Sequence, residues 1–208
     1  MDLNKLFGNW NLILVLIGAC SVVGIAIFIE RLVQLKKAEI DTNRFLIGAR
    51  SLLEKGSIVE AVRFCEDVGG AVGSIVKSGL MRHNQTRDRI ENAMEMTGLV
   101  EIARLEKNAK ILSVIAYIAP LIGLLGTVLG FIQAFGEMRA TGLMDISTTR
   151  IGEAMEYALV TTAAGLVVAI PTVIAYNYLV SRIEGLVLEM QTTSSEIVDL
   201  LVHHDATF

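Results

Sequence analysis

The sequence predicts an all-α membrane protein with three transmembrane helices, the second and third continued by long cytoplasmic helices. Three observations carry this expectation. Leu12–Ile29, Ile111–Gly136 and Tyr157–Ser181 contain no Asp, Glu, Lys or Arg, and a bilayer core is crossed by roughly 17–25 apolar residues in helix. Outside these runs, apolar residues recur at steps of three and four, the period of an amphipathic helix. The chain is 53% hydrophobic over 208 residues with two prolines, an apolar share above the usual soluble range.

Taken in order, residues 1–11 form an external N-terminus and 12–29 the first span, with Trp10 as an interfacial anchor. The leader "MDLNKLFGNWN" carries one Lys and one Asp. It lacks the basic region of a signal peptide, and the span runs straight into Glu30 and Arg31 without a small-residue cleavage site, so the first span is expected to be retained. Residues 30–110 form a cytoplasmic helical domain. Of eighteen Lys and Arg, fourteen lie between Arg31 and Lys110, and the excess of cations marks the cytoplasmic side. Spans at 111–136 and 157–181 then enclose an external loop at 137–156, and 182–208 is a cytoplasmic C-terminal helix.

Within the cytoplasmic domain, "SIVE" at Ser57–Glu60 reads as a capping box opening a helix that ends near Gly69–Gly70. A short helix through Val72–Met81 follows. From about Thr86, Ile90, Met94, Gly98, Ile102, Leu105, Ala109 and Leu112 form one stripe. This predicts a single helix from about 88 to 135, roughly 70 Å at 1.5 Å per residue. After the third span Ile183, Leu186, Met190, Ile197 and Leu201 repeat at seam spacing, a face expected to pack on other copies of the chain. His203 and His204 are adjacent, do not share a helix face and are expected to be tail residues rather than metal ligands. Cys20 and Cys65 are expected to stay reduced, without a role in a disulfide, a metal site or catalysis. The net charge of −4 gives no sign of nucleic-acid binding.

The candidate site is in the second and third spans. "APLIGLLGTVLGFIQAF" (Ala119–Phe135) places Pro120, Gly123, Thr127, Gly130 and Ala134 on one helical face. "ALVTTAAGLVVAIPTVIAYN" (158–177) places Thr162, Gly165, Ala169, Thr172 and Tyr176 on another, with Thr161 beside Thr162 and Pro171 mid-span. Small-residue faces of this kind pack helices closely in membranes. Repeated around a ring, the same faces would line a narrow, mildly polar passage. A phosphate loop is excluded because no Lys-Ser/Thr follows the glycines. None of the three spans contains Asp, Glu, Lys, Arg or His, whereas ion-driven machines need such a group at membrane depth. If this chain serves proton conduction, the carboxylate comes from another polypeptide.

These two stretches together resemble the paired signatures of the MotA/TolQ/ExbB proton-channel family, and the three-span layout with a large insert after the first span resembles ExbB and TolQ more than the four-span MotA. The resemblance implies a pentameric ring in the bacterial inner membrane, periplasmic at its N-terminus and cytoplasmic at its C-terminus. It implies a single-span ExbD/TolR-like partner whose transmembrane Asp faces Thr127 and Thr162 and carries the proton, and a TonB-like protein that passes force to the outer membrane. No cofactor is expected beyond the proton as coupling ion. Many relatives carry Glu where this chain has Tyr157; its neighbour Glu156, with Glu153 one turn earlier, is a candidate for proton entry or an interfacial charge at a helix start. ExbB-like transport is favoured, with TolQ-type envelope maintenance or a gliding motor as alternatives. A passive oligomeric scaffold is the competing class, and no catalytic set points to an enzyme.

Overall fold

The computed structural model describes residues 10–141 and 148–205, all helix or short turns. Helix α1 runs Trp10–Ala38, α2 Thr42–Glu54, α3 Ile58–Val68, α4 Gly70–Leu80, α5 Arg87–Glu106, α6 Ala109–Thr141 and α7 Thr148–Asp205. Three long helices are apolar enough to cross a membrane, over Leu12–Lys36, Arg87–Arg139 and Ile151–Leu201. The chain divides into two compact units, one of Met1–Ile29 with Asn108–Tyr178 and the other of Glu30–Lys107 with Leu179–Phe208. The roles expected of Trp10, His203 and His204, and the tip of the expected loop at 137–156, fall outside what is described.

The second unit is built as a water-soluble bundle is built. Phe45 of α2 is buried and its ring stacks on Phe64 of α3, with centroids 5.6 Å apart. Leu80, Ile90 and Met94 close the contact between α4 and α5. The chain turns between α3 and α4 through Gly69 and Gly70, both at positive φ (64° and 71°), a conformation that costs a side-chain-bearing residue a clash and glycine nothing. Cys65 is buried there, and that burial pushes its thiol up to about 11, so it stays a protonated, unreactive packing group near neutral pH.

Three expectations are corrected here. Ser57 does occupy the N-cap of α3, but its side chain makes no capping bond. Ser57 has φ −87° and ψ 65° and follows Gly56 at positive φ. The cap that does form is at α2, where Asp41 accepts from the Arg44 amide at 3.2 Å. The helix expected from 88 to 135 is interrupted at Lys107–Asn108, where Ile111 N–H bonds to Asn108 three residues back. Asn is a weak helix former because its side chain competes for backbone groups. Finally, Ile183, Leu186, Met190, Ile197 and Leu201 are buried within this chain, not left for other copies. Arg182 pairs with Glu39 (2.9 Å), Thr42 donates to Glu189 (3.0 Å) and Arg87 pairs with Asp199 (3.0 Å), so the stripe is closed along both sides by its own unit.

Candidate functional site

The first unit brings α6 and α7 together along a seam of small residues. A methyl group built on Gly123 would lie 2.9 Å from the Thr161 carbonyl oxygen and 3.0 Å from Thr162 Cα. One on Gly165 would lie 2.7 Å from the Ala119 carbonyl oxygen. Farther along, Gly130 faces Ala158, and Gly126 faces the Thr161 side chain. The residues of α6 turned to α7 are therefore Ala119, Gly123, Gly126 and Gly130, at steps of four, three and four. In lipid, helices gain little from the hydrophobic effect on meeting each other, so close backbone approach supplies the attraction, and small residues permit it. Pro120 and Thr127, which the sequence placed on the same face, sit half-buried one step aside.

The hydroxyls divide into three kinds. Thr161 is fully buried and donates to Ala158 O in its own helix at 2.8 Å. Thr162 is half-buried and donates across the seam to Gly123 O at 3.0 Å. Thr127 donates to Leu124 O within α6 at 2.6 Å and contributes no bond to α7 through that donor. A threonine hydroxyl keeps acceptor lone pairs after donating its proton. Thr127 and Thr162, partly exposed, can therefore accept from a protonated acid that approaches from outside the pair.

Deeper in the unit, Thr172 is buried, donates to Val168 O at 2.7 Å and lies against Gly24 of α1, 3.8 Å from where that residue's Cβ would be, with Ile115 of α6 beside it. The three spans meet at this point. Ala169 is buried on the same side of α7, whereas Tyr176 is half-buried and Glu156 exposed. Pro120 and Pro171 both lie inside helices that continue past them. Each removes one amide donor and so deprives the carbonyl four residues earlier of its helical partner. The Gly126–Gly130 pair is by itself only a weak packing signal in the sequence, yet both glycines lie in the seam; sequence reading missed Ala154 and Ala158, although their spacing from Thr161 carries that signal.

Among known families, residues 69–192 match the model of the MotA/TolQ/ExbB proton channel family, a stretch that contains both small-residue faces. A biopolymer transport protein ExbB homologue of Methanothermobacter thermautotrophicus is 30% identical over 86% of this chain and 63% of its own. The biopolymer transport protein ExbB of Helicobacter pylori is 51% identical over 38% of this chain and 52% of its own. The Tol-Pal system protein TolQ of Haemophilus influenzae is 37% identical over 45% of this chain and 40% of its own. The matched regions thus span less than two thirds of each of these relatives.

Proposed function

The chain belongs to the MotA/TolQ/ExbB proton channel family, and from that premise we propose that it is the ring-forming subunit of a proton-driven machine in the bacterial inner membrane. In this reading several copies, five by family resemblance, surround an ExbD/TolR-like single-span partner that brings the transmembrane Asp. The N-terminus is periplasmic and the C-terminus cytoplasmic. The work is delivered through a TonB-like protein, with ExbB-like transport favoured because relatives bearing that name match and TolQ-type envelope maintenance as the alternative.

One observation supports the reading above others. The spans contain no charged residue or histidine, and Gly123, Gly126, Gly130, Gly165 and Thr161 are taken up in packing, yet Thr127 stays partly exposed with no donor bond to the neighbouring helix. Such a hydroxyl can hold the protonated acid without trapping its charge, as a Lys or Asp would. The driving force is adequate: an elementary charge crossing 100 mV yields about 2.3 kcal/mol, several times thermal energy. Glu156, exposed at the outer end of the third span, is a proposed entry point for the proton.

Thr127→Val and Thr162→Val test the proposal in cells, with ring assembly followed by native mass spectrometry. Loss of energised uptake with intact rings is expected. Normal uptake in both variants would remove the threonines from the pathway and favour a passive scaffold, as would a ring that never retains a small single-span partner. Thr127→Val is the cleaner variant, since Thr162 also bonds across the seam.

A further inference from the structure

A cavity of about 230 Å³ within the second unit has a polar wall of Arg31, Gln34, Ser74, Glu101 and Arg104. Arg31 is its unusual member. The side chain is 6% exposed, yet its Nε–H is buried with no acceptor. Its Nη2 stands 3.9 Å from Glu30 Oε1, at the outer limit of an ion pair, and that oxygen already accepts from Gln34 Nε2 at 2.9 Å. A buried guanidinium donor left unpaired is costly, and native proteins rarely keep one without a partner. Arg104 lies on the same wall with an exposed side chain, and its Nη1 meets Glu101 at 3.4 Å. The lining thus carries two cations and one carboxylate, with Glu30 outside it.

The position in sequence says where the missing acceptor comes from. Arg31 stands two residues beyond the first charge-free run on the same continuous helix α1, about 3 Å from the run end. The polar zone of each leaflet is roughly 5–8 Å deep, so the Arg31 guanidinium can reach headgroup level, and Arg104 shares its cavity. Two arginines match the oxygens of a phosphate in geometry as well as charge, and basic pockets at the membrane surface bind anionic headgroups. The cavity is below the roughly 300–1,000 Å³ of sites that enclose a drug-sized ligand, a size suited to one phosphate and its ester arms.

We propose that this cavity binds a phosphate group, supplied by an anionic phospholipid of the leaflet that the cation-rich segment faces. The site is separate from the α6–α7 seam, and its occupancy does not depend on the chain's role in proton conduction.

The test uses the full chain in mild detergent, titrated with phosphatidylglycerol or phosphatidylcholine and read by native mass spectrometry. Phosphatidylglycerol is expected to be retained in preference. Arg31→Gln should weaken its retention on the order of tenfold, the loss of one charged hydrogen-bonding partner. Arg31→Lys should fall in between, since Lys keeps the charge without the fork. Arg104→Gln, at an exposed side chain, gives a second reading if Arg31→Gln fails to fold, and Glu101→Gln should strengthen retention by removing the opposing charge. Inorganic phosphate added as competitor separates the sources: displacement only at large excess supports the lipid, and displacement at equal concentration assigns the site to a soluble phosphate and overturns the lipid source. Equal retention of both lipids, or no change in Arg31→Gln and Arg104→Gln, overturns the proposal. So does a loss of oligomeric assembly in these variants without loss of lipid, which would assign Arg31 to a carboxylate of a neighbouring chain.

Discussion

The two units of this chain differ in how their closest-packed helices meet. The contact of α6 with α7 is made of Ala119, Gly123, Gly126, Gly130, Ala158, Thr161 and Gly165, while Phe45, Leu80, Ile90, Leu179 and Ile197 are among the largest fully buried side chains of the other unit. The difference follows from the solvent. A helix facing lipid gains nothing by exchanging hydrocarbon for hydrocarbon, so it is stabilised by close approach and by bonds such as Thr162 to Gly123. A helix facing water gains about 25 cal/mol for each Å² of apolar surface it hides, which rewards large side chains. Val15, Val22, Leu121, Ile132, Val167 and Ile174 of the spans lie outward, where a bilayer would accept them.

The comparison can be broken by removing volume from one interior and adding it to the other. Phe45→Ala should have the largest effect, about 3–5 kcal/mol lost from the second unit, read as earlier unfolding of α2–α5 by hydrogen exchange with α6 and α7 protected as before. Gly165→Ala should cost the first unit about 1–3 kcal/mol, since the new methyl meets the Ala119 backbone and overpacking forces helices apart. Gly185→Ala is its control. That residue is exposed on α7 with nothing within 4 Å of the added carbon, so the same substitution should stabilise by about 0.5–1 kcal/mol through helix propensity. Equal responses at Gly165 and Gly185 would show that the seam is not close-packed.

The sequence made some of this legible and concealed the rest for physical reasons. Charge-free runs announce membrane helices directly, because a charge in hydrocarbon is prohibitive wherever it falls on the helix. Ile90, Met94 and Leu105 were readable as one buried stripe for the same reason that Thr86 marked a helix start: both signals are local. Rotation about the helix axis was less legible. Pro120, Gly123, Thr127 and Gly130 alternate steps of three and four just as Ala119, Gly123, Gly126 and Gly130 do, and nothing in that periodicity says which ridge enters the seam. Partnership was least legible. The stripe from Ile183 to Leu201 has the same pattern whether it packs on its own chain or another, and only the contacts of Arg182, Glu189 and Asp199 with Glu39, Thr42 and Arg87 make it internal. Arg31 read as one of several flanking cations, since nothing local reports that a side chain is buried.

A smaller effect sharpens the role of hydrogen bonding in the seam. Thr162→Val keeps the shape of the side chain and removes the donor to Gly123 O, a bond whose kind is worth on average about 0.6 kcal/mol between membrane helices. Thr127→Val removes only a bond within α6 and should shift stability less. A steric-trap or detergent-denaturation comparison that found the reverse order would mean that Thr127 holds a helix that the single chain does not contain.

The smallest effect is electrostatic and should be confined to the second unit. Glu66 on α3 accepts from Lys77 on α4 at 2.6 Å, and that hydrogen bond, with the charge of Lys77, holds the Glu66 carboxyl below its usual range. A depressed carboxyl favours the folded state above the unfolded pKa, and the contribution disappears as pH falls through the lower folded value. Acidification below about 4.3, the ordinary glutamate value, should therefore loosen α3 against α4, and Lys77→Gln should abolish that part of the response. The pair is exposed, so added salt should diminish the effect as well. The α6–α7 seam is lined by no ionisable pair in the contacts described, and its exchange rates, corrected for intrinsic pH dependence, should be flat over the same range. A seam that loosened in parallel would place a titrating group against it, and Glu153 and Glu156, which lie in sequence beside the seam residues Ala154 and Ala158, would be the first to substitute.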